Sequence, residues 1–259
     1  MMSKDIALDP VFADVLAGRS NGNAAGEQPT AEAIITAAEK LFVEQGYHAT
    51  RVSEVARLAD VSIGSIYVHY ENKEGLFGAL IERALDIQAR YVDAVLDSDA
   101  IPDLEKVIAL GEAYLQFFRE HPDHFRMLML PSESIPEEPA RSPLARQIAA
   151  RGEVQRAKLA QAIENCVADG VMRDDVDPSS AANFWWAAWN GVIGLTMRSD
   201  DLAIDEREME RVVVAGRLMI AEGLASSSQR DSDGRVTSAL RARLETLQDA
   251  PVPVAPAAS

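Results

Sequence analysis

The sequence predicts an all-α protein in which a small N-terminal three-helix head precedes a larger helical body, about nine helices in all. Three observations carry this. Apolar residues recur at intervals of three and four through most of the chain, in stretches separated by Gly46, Ser98–Pro102, Pro131–Pro143 and Gly170. Thr50 to Lys73 reads as helix, tight turn, helix. Pro178 to Met197 is apolar on nearly every side, which requires cover on nearly every side. At 259 residues and 47% hydrophobic, the chain has ample material for one large or two small cores.

The first helix is expected over Thr30–Gln45, with Thr30 as its cap, a stripe of Ile34, Ile35, Ala38, Leu41 and Phe42, and Gly46 closing it. Val52, Val55, Ala56 and Ala59 then give a short second helix whose alanines allow close packing. Asp60 tolerates the left-handed backbone that a tight turn needs. Ser62 caps a third helix with Ile66 inward and Ser65, Tyr67, His69 and Tyr70 outward. Gly64 costs a helix about 1 kcal/mol relative to alanine, which suggests close approach of a backbone, of the protein or of a partner. Two short helices in this arrangement have the geometry that enters a major groove. Asn72 and Lys73 open a fourth helix whose free N–H groups and lysine suit a phosphate.

Residues 46–77, GYHATRVSEVARLADVSIGSIYVHYENKEGLF, resemble the DNA-binding signature of TetR-family transcriptional regulators. The pattern has the form GY-x-A-T-x-x-x-[DE]-[IV]-A-x-x-A-[GD]-V-S-x-G-[ST]-[IL]-Y-x-[HY]-[FY]-x-x-K-E-x-L and is matched in order along its length. Two departures stand out. Arg51 occupies the position where the family often caps its second helix with Thr or Ser, so either no side chain caps this helix or Thr50 does. Ile63 replaces a lysine that the family often carries after the cap of the recognition helix. The resemblance covers the head directly, and the rest only through its helical pattern.

In the body, the fourth helix runs from Lys73 to about Asp97, with Leu76, Leu80, Ala84, Ile87, Tyr91 and Val95 inward and Glu82, Arg83, Asp86, Arg90 and Asp93 toward water. Asp103–Glu120 forms a fifth helix and Pro122 opens a short sixth. Their Tyr114, Phe117, Phe118, Phe125, Met127 and Met129 suit a core as well as an adaptable ligand pocket. A Pro- and Glu-rich loop, Pro131–Pro143, precedes a seventh helix from about Leu144 to Asp169, closed by Gly170. All three tryptophans fall in the eighth helix, at 185, 186 and 189. A ninth spans Asp205–Ala225. The domain division is a disordered or loosely docked arm over 1–29, the head over 30–77, the body over 78–225 and a mostly disordered tail over 226–259. Within that tail, Val236, Leu240, Leu244 and Leu247 keep a short helical pattern.

The net charge of −16 opposes non-specific adhesion to nucleic acid. Residues 48–77 themselves carry three cations (Arg51, Arg57, Lys73) against four anions (Glu54, Asp60, Glu71, Glu74). Any DNA contact therefore rests on locally placed groups, is salt-sensitive and needs two copies. A single cysteine, Cys166, excludes an intrachain disulfide. No secretory signal or membrane span is expected, since Ala181–Met197 is interrupted by Asn183 and Asn190, so the expected compartment is the cytoplasm. There is no GxSxG, phosphate-binding glycine loop or metal pattern, and His121 and His124 read as the ordinary start of the sixth helix. Neither catalysis nor a cofactor is expected.

The resemblance implies a homodimeric regulator, most simply a repressor, on a near-palindromic double-stranded operator, with its last two body helices pairing across a two-fold axis. Arg51, Tyr67, His69 and Lys73 would hold phosphates, while Ser65, Tyr70 and the backbone of Ile63 and Gly64 approach the bases, with Ser62 among the DNA-binding residues at the helix cap. A small apolar or amphipathic effector would lie among Tyr114, Phe117, Phe118, Phe125, Met127, Met129, Trp185, Trp189 and Ile193. Ala188, Val192, Leu195, Val212 and Met219 would meet the second subunit. The alternative is a dimer of the same fold that binds a ligand or partner but has lost operator binding, motivated by Ile63 and the acidic balance.

Overall fold

The computed structural model describes residues 24–129 and 143–249. Among these are ten α-helices and one 3-10 turn, with isolated bridges (Met172 to Ala225 and Arg230 to Val236) in place of strands. The chain divides into two compact units between Ala79 and Leu80.

The first unit is built on α1 (Ala24–Ala49), α2 (Val52–Leu58), α3 (Ile63–Tyr70) and the start of α4 (Lys73–Leu96). α1 extends six residues before Thr30, so Thr30 is not its cap, and residues 24–29 of the expected arm are helical. Gly46 takes φ +78°, which a Cβ would disfavour, and the chain turns there. The buried Thr50 hydroxyl lies 3.1 Å from the Leu41 carbonyl and 2.8 Å from that of Gly46, so it ties the end of α1 and does not cap α2. Arg51 holds the cap position of α2 with no side-chain acceptor, and the Glu54 carboxylate accepts the Arg51 N–H at 3.4 Å. The missing half of that capping pair is the departure seen in the sequence. Asp60 has φ +54° in the turn, as its residue type suggested. Ile34, Ala38, Phe42, Val55, Ile66, Leu76 and Phe77 close the core of this unit. Phe77 meets Phe42 and Tyr47 edge-on, each at 5.1 Å between centroids.

The second unit comprises most of α4 with α5 (Asp103–Glu120), α6 (Pro122–Leu128), α7 (Pro143–Ala168), α8 (Pro178–Thr196), α9 (Glu206–Leu224), the turn Ser227–Gln229 and α10 (Ser238–Asp249). The expected inner face of α4 is buried. Its acidic face is half covered rather than open, because α7 runs beside it. Gln147 Nε2 donates to Glu82 at 2.7 Å, Arg151 pairs with Asp86 at 2.6 Å, and Lys158 reaches Asp93 and Asp97 at 3.1 and 2.8 Å. Such exposed pairs contribute little stability each, but their helical spacing sets the register of α7 on α4. Asp177 and Asp205 cap α8 and α9 through the N–H groups of Ser180 and Glu208.

Residues 226–249 correct the expectation of a mostly disordered tail. Val236, Leu240 and Leu244 are buried against Leu104, Ile108, Leu218 and Ala221, since a leucine every four residues gives α10 one apolar stripe that α5 and α9 can cover. Arg243 pairs with Glu105, and Arg241 with Glu222 at 3.7 Å. The rest of the arm (1–23), nearly all of the expected long loop (130–142) and the last residues (250–259) lie outside the described residues. Among the described residues no helix is long and apolar enough to cross a membrane.

Candidate functional site

In the first unit, the candidate nucleic-acid interface is the open face of α3. Ser62 Oγ accepts the Ser65 N–H at 3.0 Å, which fixes the start of the helix. Ile66 is fully buried and anchors it, a burial that contributes about 1.5–3 kcal/mol. Around this anchor Ile63 is 44% exposed, Tyr67 48% and Val68 82%, an apolar and aromatic row on the outside of a rigid element. A Cβ on Gly64 would meet only Ser62 Oγ, at 3.6 Å. Among the described residues, no backbone requires glycine there. Tyr70 is turned partly inward, its hydroxyl donating to the Ala31 carbonyl at 3.2 Å. Lys73 donates to the His48 carbonyl at 3.4 Å and sits 4.5 Å over the Tyr47 ring, and partial burial lowers its pKa.

In the second unit, α5, α8, α9 and α10 enclose an apolar cavity of about 40 Å³. Val107, Trp185, Trp189, Leu240 and Leu244 are among its walls, and Arg217 is the one charged residue lining it among the described residues. Gly111 fixes the position of Trp189, because a Cβ there would come within 2.7 Å of the indole. Arg217 is 9% exposed and pairs with Glu112 of α5. Burial draws its pKa down to about 10, so it stays charged at neutral pH.

The comparisons with known proteins bear on both units. Residues 34–80 match the model of bacterial regulatory proteins of the tetR family, and residues 107–215 match the tetracyclin repressor-like C-terminal domain. Over 145 residues, 56% of this chain and 70% of the relative, the chain is 30% identical to the HTH-type transcriptional repressor KstR2 of Mycobacterium tuberculosis. The chain belongs to the TetR family. Among solved structures, the ketosteroid transcriptional regulator KstR2 of M. tuberculosis superposes with a TM-score of 0.56 at 23% identity, covering 80% of this chain and 98% of that one. AibR, solved with isovaleryl coenzyme A and operator DNA, gives 0.56 at 20% identity over 72% of this chain and 97% of that one. These likenesses support the fold. This TetR-family chain is a DNA-binding transcriptional regulator.

The structure distributes the sequence-predicted residues unevenly. Ser62, Ile63, Gly64, Ser65, Tyr67 and His69 lie together on α3 and its cap, with Ser65 and His69 half-buried and Arg51 exposed at the start of α2. Tyr70 and Lys73 are partly engaged by the protein itself. Val68, the most exposed side chain of α3, was not singled out, although its place between Tyr67 and His69 on a helix with Ile66 inward could have marked it. Of the expected effector residues, only Trp185 and Trp189 line the cavity. Tyr114, Phe117, Phe125 and Met127 are buried core, with Phe118 and Met129 packed on it and Ile193 fully buried beside it. Their rings are consumed in packing one another: Tyr114 and Phe118 meet Phe125 edge-on at 5.4 and 5.2 Å. The cavity walls come instead from aliphatic residues of α5, α9 and α10, and from Arg217.

His121 and His124 do start α6, with Pro122 in its first turn. His121 Nε2 lies 3.1 Å from the Tyr91 hydroxyl, and His124 is buried. Desolvation, helped by His121, Arg83 and Arg90 and opposed by Asp123, pulls the His124 pKa from 6.5 down to about 4. Below pH 6.5 the unfolded chain therefore binds a proton that the folded chain refuses, so stability is lost as pH falls from about 6.5 toward 4. The difference in unfolding free energy between the native chain and His124→Gln should change by about 3 kcal/mol between pH 7 and pH 4. Urea titrations at the two pH values read it directly, and an unchanged difference would mean that His124 titrates alike in both states.

Proposed function

We propose that the protein is a homodimeric repressor that binds a near-palindromic operator and is released by a small amphipathic effector. The observation that carries this reading is the exposed row Ile63, Tyr67 and Val68 on a capped helix anchored by Ile66, beside a glycine that none of the described residues requires. Two such helices would enter successive major grooves about 34–36 Å apart. Arg51, Tyr67 and His69 are the phosphate-facing groups; Ser65, Val68 and the Ile63–Gly64 backbone approach the bases. Residues 30–77 form the DNA-binding part and the body from 78 onward binds effector and partner, α10 included.

Dimerisation is supported by an uncovered stripe on α8. Phe184 is 67% exposed, and Ala188, Gly191 and Leu195 follow it at helical spacing without full burial. On α9, Met219 is 73% exposed, with Val212 half-buried. An apolar stripe of this kind on an otherwise acidic protein suits a second copy. The effector site is the cavity at Trp185, Trp189 and Arg217. At about 40 Å³ it is far below the roughly 300–1,000 Å³ of a filled ligand site, so binding must displace a wall. If effector and operator favour different states, each weakens the other by the same factor.

The competing reading, a dimer without operator binding, is favoured by one observation: the cations nearest α3 are few, and Lys73 is already held by His48 and Tyr47. A mobility shift on the DNA flanking the protein's own coding region, at low and moderate salt, separates the two. Repression requires a specific, salt-sensitive shift that Tyr67→Ala weakens about tenfold or more. A folded dimer that shifts no flanking DNA at any salt would leave the competing reading.

A further inference from the structure

The cavity is chemically one-sided. Arg217 offers one guanidinium nitrogen to Glu112, while its Nε and Nη1 are buried without an acceptor. Trp189 Nε1 is also buried without an acceptor. Both residues line the same cavity, and the other described residues lining it are aliphatic ones together with Met172 and Trp185. Arg217 and Trp189 thus bring N–H donors to the wall of a space whose described lining offers no side-chain acceptor; Glu112, which pairs with Arg217, does not line it. Buried donors are ordinarily satisfied, and a site holding several unsatisfied ones is complementary to whatever supplies the acceptor.

We propose that the effector is an anion: a carboxylate on an aliphatic body, with the carboxylate bound by Arg217 and hydrogen-bonded by Trp189 Nε1, and the body lying among Val107, Leu240 and Leu244. This rests on the cavity being the effector site. An arginine fork and a carboxylate match in charge and in geometry, and the apolar surroundings strengthen the pairing. Glu112 then acts as the internal stand-in that holds Arg217 when the cavity is empty, and the incoming carboxylate competes with it. Glu112 is a positioning residue for Arg217, not part of the ligand's own contact.

The three tryptophans, two of them in the cavity wall, supply a direct signal. Intrinsic fluorescence of the full chain, supported by thermal shift, is titrated with straight-chain carboxylic acids from butanoate to myristate and with their methyl esters. In the native chain the best acid should bind at least about tenfold tighter than its ester. Arg217→Gln should erase that preference, and Glu112→Gln should raise acid affinity by several-fold because the competitor is neutralised. Since Arg217→Gln alone strands a buried carboxylate, the double variant Glu112→Gln/Arg217→Gln, without either charge, must also show no preference. Equal binding of acid and ester by the native chain, or a preference that survives loss of Arg217, would overturn the anionic effector while leaving the cavity as the effector site. Binding of neither series would remove both.

Discussion

Val68→Glu is expected to abolish specific operator binding while leaving the fold intact. Val68 is 82% exposed, so the substitution removes almost no packing and should change stability by no more than about 0.5 kcal/mol. On the open face of α3 the new carboxylate would be set against the phosphates, on a protein whose net charge of −16 already opposes DNA. The expected loss is at least about 100-fold in affinity at moderate salt, against about tenfold for Tyr67→Ala. Mobility shifts with matched thermal melts test this. A Val68→Glu variant that melts like the native chain and binds its operator equally well would mean that α3 does not face the groove.

The second large effect concerns stability. Glu112→Ala leaves Arg217 charged and buried without its counter-ion, which should cost about 3–5 kcal/mol in urea unfolding. Glu112→Leu/Arg217→Met removes both charges and refills the space with apolar volume, and should recover most of that loss or exceed the native stability. The double-mutant cycle isolates the pair. Near-additive losses would show that the two side chains do not depend on each other. The same logic explains why a carboxylate effector would rescue Glu112→Ala more strongly than it stabilises the native chain: it restores a missing partner.

Much of the head was legible from residue types alone because its determinants are local. A serine before an apolar helix becomes its cap, an aspartate in a tight turn takes a left-handed backbone, and Ile66 points inward because its helical neighbours leave it no other face. Thr50 was ambiguous for the opposite reason: its partners, the Leu41 and Gly46 carbonyls, belong to the preceding helix and are found only when the chain folds back.

The cavity was the least legible feature. Aromatic and methionine spacing identified a cluster without distinguishing a packed core from an empty space, since both are apolar. Tyr114, Phe117 and Phe125 fill their own volume, and the cavity opens where leucines of a distant segment fail to fill theirs. Arg217 looked like any surface arginine on an amphipathic helix; its burial depends on Glu112, more than a hundred residues earlier.

By itself, the sequence determined the helical class, the family, the recognition helix with its cap and anchor, and the acidic balance that makes DNA binding depend on local contacts, all of which follow from short-range spacing and composition. Only the tertiary structure decided that the C-terminal segment is a wall of the body, that Tyr70 and Lys73 are already engaged, and that a buried arginine shares a cavity with an indole. Those outcomes depend on which distant side chains meet and how completely they fill the space between helices, and no local pattern encodes that.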